Sequence, residues 1–429
     1  MPQVFLANWA LLVGIFLLLL GNGLQASLLG LRGPAAGFST LEISAIMSAY
    51  FAGFLVSASV TPRLIRRVGH VRVFAALGSL ISAVLILYPS IPHPLAWALL
   101  RALIGFCFCG VYITAESWLN SATTSANRGS ALSAYMVVQM GGIVAAQGLL
   151  TLDDPSGFLL FIIPSVLVSV SFAPILLSVT PAPPFETTKN MSLRDLYRAS
   201  PLGLVAMFLS GGIFSAQFGM AALYASEVGL SGGRLSAFLA SFYVGAFALQ
   251  MPIGWLSDRM DRRKLILVTA ALGAGAAALG FASGGAYPAL LLAGFAMGGL
   301  ANPLYPLIIA YVNDAVDTES MAAASGGLLF VNGIGAILGP FALGALMGAV
   351  GPAGFWAFCA ALLVAVAGFA AFRMAQRPPQ VTGETVAFAP VFPAASPAVM
   401  ETAGDLGEAA PSDHDPGGSG AGDGNREAA

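Results

Sequence analysis

Two charged residues lie where charge is costly. Arg101 sits inside the apolar run 95–118. Counted from Leu95, it is about 9 Å into a helix rising 1.5 Å per residue. A lone guanidinium there costs at least ~2.5 kcal/mol unless it faces water, a partner or a cavity. Arg101, Gly105, Phe108, Tyr112 and Glu116 share one helical face, within about 80°. Gly105 leaves room beside the guanidinium, so the expected chemistry is binding of an anionic group or a part in proton coupling. Snorkelling to the interface, or a structural bond to backbone carbonyls, is the competing reading. Glu116 is about 22 Å further along the helix, too far to pair with Arg101. It reads as a proton-relay acid or, preferably, as an interfacial latch neutralised by Arg128 or the loop at Arg66. No other acid falls well inside an apolar run. If protons are coupled, Glu116 is the carrier by elimination.

The other candidates are neutral. Asn22, Gln25, Tyr112, Gln139, Gln217, Gln250, Asn302, Tyr305 and Asn332 are amides and phenols in apolar runs. Each either lines a wet cavity or bonds between helices, at around 0.6 kcal/mol on average. Cys107, Cys109 and Cys359 lie in apolar runs and His70, His93 and His414 are scattered, so no disulfide framework, metal site or cofactor is expected. There is no HExxH, P-loop or acid–histidine cluster, which excludes the common membrane-enzyme chemistries.

Composition dictates what positions these groups. Of 429 residues, 57% are hydrophobic and 9% charged, against about 25% charged in soluble domains. Lipid must solvate most of the chain, and its backbone there must be helical. The fold class is therefore an all-α membrane protein. Apolar runs at 4–29, 42–61, 73–89, 95–118, 129–151 and 157–179 precede a polar stretch. Six more follow at 201–225, 234–256, 265–283, 288–312, 321–349 and 353–375. The first run lacks a basic leader and is too long for a signal peptide. With a cytoplasmic N-terminus, the inner loops carry Arg63, Arg66, Arg67, Arg72, Arg128, Lys189, Arg194, Arg198, Arg259, Arg262, Arg263 and Lys264, while the outer loops carry Arg32 and Arg234. This bias puts both termini inside an inner (plasma) membrane crossed twelve times. A net charge of −2 gives no basic surface for nucleic acid. The segment 377–429, rich in Pro, Gly, Ala and acidic residues, is expected to be a disordered cytoplasmic tail.

The halves match. A shift of 192 lays Gln25 on Gln217, Gly53 on Gly245, and the loop from Arg66 to Arg72 on that from Asp258 to Lys264. A shift of 193 lays Tyr112 on Tyr305, Asn120 on Asn313, Gln139 on Asn332 and Gly142 on Gly335. Six runs per half in one orientation form a parallel repeat about the membrane normal. The expected organisation is a six-helix bundle at 1–180, a cytoplasmic linker at 181–200, a second bundle at 201–376, and the tail.

The stretch Gly254-Trp-Leu-Ser-Asp258-Arg259-Met-Asp-Arg-Arg-Lys264 resembles the G-x-L-x-D-R-x-G-R-[KR] loop of the major facilitator superfamily. Gly110-Val-Tyr112-Ile-Thr-Ala-Glu116-Ser-Trp118-Leu-Asn120 is similar to the bacterial YcaD-like branch. The resemblance covers roughly residues 4–376. It implies a monomeric secondary transporter carrying a small organic solute across the bilayer by alternating access, with proton coupling open. A non-transporting sensor or partner subunit of the same fold is the alternative. In that family runs 1, 4, 7 and 10 line the cavity, which favours Gln25, Tyr112, Gln217 and Tyr305. The loops containing Arg66, Arg67 and Gly69, and Asp258, Arg259, Arg263 and Lys264, become gating loops, with Asp258 meeting the start of run 5. Pro62 and Arg66 replace the glycine and acid of the first-half motif. Gly335-Ala-Ile-Leu-Gly339-Pro340 lies on run 11, whereas drug–proton antiporters carry such a pattern on run 5.

Overall fold

The computed structural model describes residues 2–121, 128–176, 191–376 and 388. They form helices α1 (Pro2–Ala35), α2 (Thr40–Val68), α3 (His70–Ser90), α4 (Pro94–Ser121), α5 (Arg128–Leu149) and α6 (Leu159–Leu176). A short α7 (Leu193–Ala199) precedes α8 (Pro201–Ser215), a π-helical turn (Ala216–Met220) and α9 (Ala221–Glu227). Then come α10 (Gly232–Ser257), α11 (Arg262–Ala282), α12 (Tyr287–Ala301), α13 (Leu304–Asn313), α14 (Thr318–Val350) and α15 (Gly354–Gln376). No strand occurs among the described residues.

Among the described residues, ten segments are long and apolar enough to cross a bilayer, counting α8–α9 and α12–α13 as one each. The helix α5 and the shorter apolar α6 occupy the positions of the fifth and sixth sequence runs. Most helices outrun their apolar cores because their caps lie in polar turns. Ser39 and Glu42 form a reciprocal capping box at the start of α2, and Ser200 with Pro201 starts α8. Gly69, at φ 86°, makes the turn from α2 to α3.

Backbone geometry repeats where the sequence repeats. Helices α2 and α10 begin 192 residues apart, as do α3 and α11, while α4 and α12 begin 193 apart. The extra residue lies between α11 and α12, where 283–286 replace 91–93. The crossings repeat too. A Cβ on Gly53 would lie 1.8 Å from the Ala102 carbonyl oxygen, and one on Gly245 would lie 1.9 Å from that of Phe295. From the facing helix, a Cβ on Gly105 would lie 1.9 Å from the Tyr50 oxygen and one on Gly298 2.1 Å from that of Phe242. Without Cβ atoms α2 meets α4, and α10 meets α12, backbone to backbone, the small-residue packing that associates helices in lipid. Likewise Gly142 faces Phe16 O and Gly335 faces Phe208 O.

Contacts between the halves occur at both ends. Away from the basic loops, α1 packs on α9 and α2 on α14. Gly30 sits under Ala222, Gly219 under Met47 and Gly344 under Ser44. Nearer the basic loops, α5 packs on α10.

The expected linker and tail each contain described residues. The stretch 181–200 is not only a polar linker: α7 is capped by Ser192, Leu196 is buried, and the Met191 N–H donates to Ala323 O at 2.9 Å. Residues 177–190 lie outside the described residues. The tail does too, except Phe388, whose ring fills the space beside Gly254.

Gly53→Ala and Gly245→Ala are each expected to cost about 1–3 kcal/mol through overpacking, lowering the melting temperature of the detergent-purified protein. Gly275→Ala, where a Cβ meets nothing within 4 Å, is the neutral control; equal melting for all three contradicts this packing account.

Candidate functional site

Between α1, α2 and α4 the expected polar residues form one directed chain. Arg101 donates from Nη1 to Gln25 Oε1. Gln25 Nε2 donates to Asn22 Oδ1 at 3.0 Å, and Asn22 Nδ2 to the hydroxyls of Tyr112 at 2.8 Å and Tyr50 at 3.1 Å. The guanidinium lies 4.6 Å over the Tyr50 ring, and Met47 Sδ approaches Nη2 at 3.9 Å. Arg101 is 0% exposed, its Nε has no partner, and no carboxylate among the described residues pairs with it. Dipoles and an aromatic face alone offset this cation, so snorkelling is ruled out. Gly105 does not leave the expected opening. The Tyr50 backbone occupies it, and the same close crossing sets the Tyr50 ring over the guanidinium.

The repeat places a second cradle in the other half, with different side chains. Gln217 stands at the position of Gln25 and Tyr305 at that of Tyr112. Phe214 replaces Asn22, Phe242 replaces Tyr50, Gly294 replaces Arg101 and Asn302 replaces Cys109. Asn302 Nδ2 donates to Gln217 Oε1 at 2.8 Å and to Gly298 O at 2.9 Å. Gln217 Nε2 and the Tyr305 hydroxyl, without the partners of the first cradle, and Ser210 Oγ, whose counterpart is Leu18, are buried and unpartnered. All three residues line one cavity of 10 Å³ with Ile213, Phe214, Ala301 and Asn302. Both elements here are interrupted: the π turn carries Gln217, and the α12–α13 break falls at Asn302 and Pro303. Interrupted helices of this kind hold substrate sites in many transporters.

Aromatic rings join the cradles. Tyr50 and Phe218 have centroids 5.6 Å apart, and Phe218 stacks on Phe214 at 5.6 Å. Tyr50, Phe51, Phe54, Phe214 and Asn332 line a 20 Å³ cavity between α2, α8 and α14. Asn332 Nδ2 donates to Met207 O at 3.3 Å. Each of these spaces holds about a water molecule.

Glu116 departs from its expected place at the water boundary. It is 2% exposed, accepts the Tyr135 hydroxyl at 2.6 Å, and lies within electrostatic range of Tyr305 from the other half. Gln139, on the next turn of α5, has an unpartnered Oε1. Gln250 is apart from the cradles, in a groove of 40 Å³ between α5 and α10. Sequence reasoning missed Tyr50, Ser210 and Tyr135. Tyr135 precedes Gln139 by one helical turn, a face relation that would have found it.

In the second basic loop the buried cation is Arg262, with its side chain 3% exposed. It pairs with Asp314 at 2.5 Å and Asp258 at 3.5 Å and donates to Ala310 O and Ser257 Oγ. His70, its repeat equivalent, lies 3.3 Å from Ser117. Asp258 does not meet the start of α5: it caps α10 and accepts the Phe388 N–H at 2.9 Å. Arg259 folds back over Trp255. Arg263 pairs with Asp261 at 3.0 Å. Partial burial opposes ionisation of Asp261, but bonds from the Arg263 side chain and N–H hold its carboxyl below the usual range. This cap thus persists at neutral pH and is lost as pH falls through that lowered value. Lys264, Arg66, Arg67 and Gly69 are exposed.

Comparison with known proteins gives one answer. The family model described as Major Facilitator Superfamily matches residues 11–241 and 203–403. An "Uncharacterized MFS-type transporter YcaD" of Salmonella heidelberg is 26% identical over 334 residues, covering 77% of this chain and 86% of its own. A crystal structure of the nucleoside transporter NupG (D323A mutant) superposes with a TM-score of 0.71 at 14% identity, over 85% of this chain and 99% of that one. A bacterial homolog of the human lysosomal transporter Spinster, inward-facing and occupied, gives 0.67 at 15%, over 87% and 96%.

Arg262→Met removes the buried guanidinium between Asp314 and Asp258 and is expected to cost about 3–5 kcal/mol, whereas Arg263→Met, which breaks a more exposed pair, costs under about 1 kcal/mol. Thermal denaturation of the two variants distinguishes them; equal losses refute the structural role given to Arg262.

Proposed function

Because the chain belongs to the major facilitator superfamily, a family of membrane transporters, we propose that it is a secondary active transporter carrying a small organic solute across the bacterial inner membrane. Two six-helix bundles, 1–180 and 201–376, rock about the cradles between them. In this reading α5 and α6 join the ten spanning segments as two further crossings, and the positive bias of the basic loops supports cytoplasmic termini. One observation carries the reading: two related polar cradles, one on interrupted helices, face a common aromatic wall where the halves touch.

In the conformation described, the cavities at the cradles measure 10 and 20 Å³. Loading requires the α1–α9 and α2–α14 contacts, or the α5–α10 contact, to part. The backbone-to-backbone crossings stay within each half, so each bundle moves as a unit. Glu116 is the proton carrier in this scheme. It is a carboxylate buried on α4, bonded to Tyr135 of α5, and near Tyr305 across the divide.

Purified protein in proteoliposomes is expected to give saturable, counterflow-competent flux of a member of a panel of neutral, cationic and anionic organic solutes. Flux of none would refute the transport reading. Glu116→Gln is expected to reduce pH-gradient-driven accumulation at least tenfold while counterflow persists. Undiminished accumulation removes Glu116 from coupling.

A further inference from the structure

We propose that the cargo is an organic monoanion with a ring-sized apolar body and a hydrogen-bonding group at its far end. The inference rests on the transport reading above. It starts from the charge imbalance at Arg101, which is sealed from water with no carboxylate partner among the described residues. The protein supplies Gln25 Oε1, the Tyr50 face, the Met47 sulfur and the neighbouring Tyr88 phenol. These solvate a cation partly and leave its unit charge, and the Nε proton, unmatched. A buried charge gains most from an opposite charge brought into its low-dielectric surroundings. A single cation balances a single negative charge, so a dianion would exchange one uncompensated charge for another.

The far end is read by subtraction between the halves. The first cradle satisfies its own amides and phenols through Asn22. The second keeps Gln217 and Tyr305 but has Phe214 and Gly294 where Asn22 and Arg101 stand. Three buried polar atoms there lack partners and converge on one cavity. Such groups cost free energy until a ligand or water bonds them. They comprise an amide donor and two hydroxyls, which suit a neutral hydroxyl or carbonyl and cannot balance a charge. Between the two ends, Phe214 lines both cavities and connects through Phe218 to Tyr50. A flat apolar body has a matching wall, and ring-on-ring contacts there add to area burial.

Binding of 4-hydroxyphenylacetate, phenylacetate, 4-hydroxyphenylacetamide and L-tyrosine to the full-length protein in detergent, measured by calorimetry, tests this. The expected order places 4-hydroxyphenylacetate at least tenfold tighter than its amide, with phenylacetate between them and the zwitterion weaker than the monoanion. Arg101→Gln abolishes the preference for acid over amide, and Arg101→Lys restores part of it. Gln217→Leu erases the advantage of the 4-hydroxyl and keeps the acid preference. If Arg101→Gln is not monodisperse, the wild-type series alone decides. An amide or L-tyrosine binding as tightly as the monoanion, or no acid binding better than its amide, overturns the proposal. Saturable flux of a neutral or cationic solute alongside that result leaves transport standing and rejects only the anion.

Discussion

Hydrocarbon offers no hydrogen-bond partners, and from that constraint the rest of this molecule follows. Every polar group within the bilayer must find its partner inside the protein. In the first half one chain of bonds does so, running from Arg101 through Gln25 and Asn22 to two tyrosine hydroxyls. What the chain cannot supply is a negative charge, because Glu116, the buried acid of that helix, is engaged with Tyr135 further along. The cation is held in place by the same backbone crossing, at Gly53 and Gly105, that fastens α2 to α4. Helix packing and charge placement are one arrangement here.

The second half has kept the frame and changed its contents. Gly245 and Gly298 reproduce the crossing, and Gln217 and Tyr305 reproduce the cradle. The cation, the amide below it and the phenol above it are replaced by Gly294, Phe214 and Phe242. The result is a pair of sites alike in backbone and unlike in chemistry, one charged and self-bonded, the other neutral and underbonded. A solute spanning them would meet both. A two-bundle transporter also needs each half to be stiff and the seam between them to be weak. The tightest glycine crossings lie within halves, and the seam is formed by α1, α2, α5, α9, α10 and α14.

Much of this was legible in the sequence, for a physical reason. Apolar length and the doubling of polar positions give helix order independently of side-chain packing, and Gln25 lies near Tyr112 as Gln217 lies near Tyr305. Contacts made by neutral residues across helices were not legible. Tyr50 reads as an ordinary core tyrosine until Gly105 draws its backbone onto α4. Glu116 was placed near water because distance along a helix does not reveal which neighbour covers it. Arg262 was lost among four consecutive and near-consecutive basic residues, since which one turns inward depends on Asp314, fifty-two positions away. Phe388 lies in a segment whose composition argues for disorder, and only the bare flank at Gly254 gives its ring a seat.

The single extra residue between α11 and α12 has a wider meaning. Added within a helix, one residue turns everything beyond it by about 100°. Tyr305 would then have left the face it shares with its counterpart Tyr112, and the cradle would have been lost. Placed in the turn, it alters only the length of an exposed connection. Length has drifted between the two copies at a point where the chain is free of lipid, while the sites retained their phase. Insertions in this architecture are thus filtered by depth, and the aqueous turns are the positions where the ancestral copies were free to diverge in length.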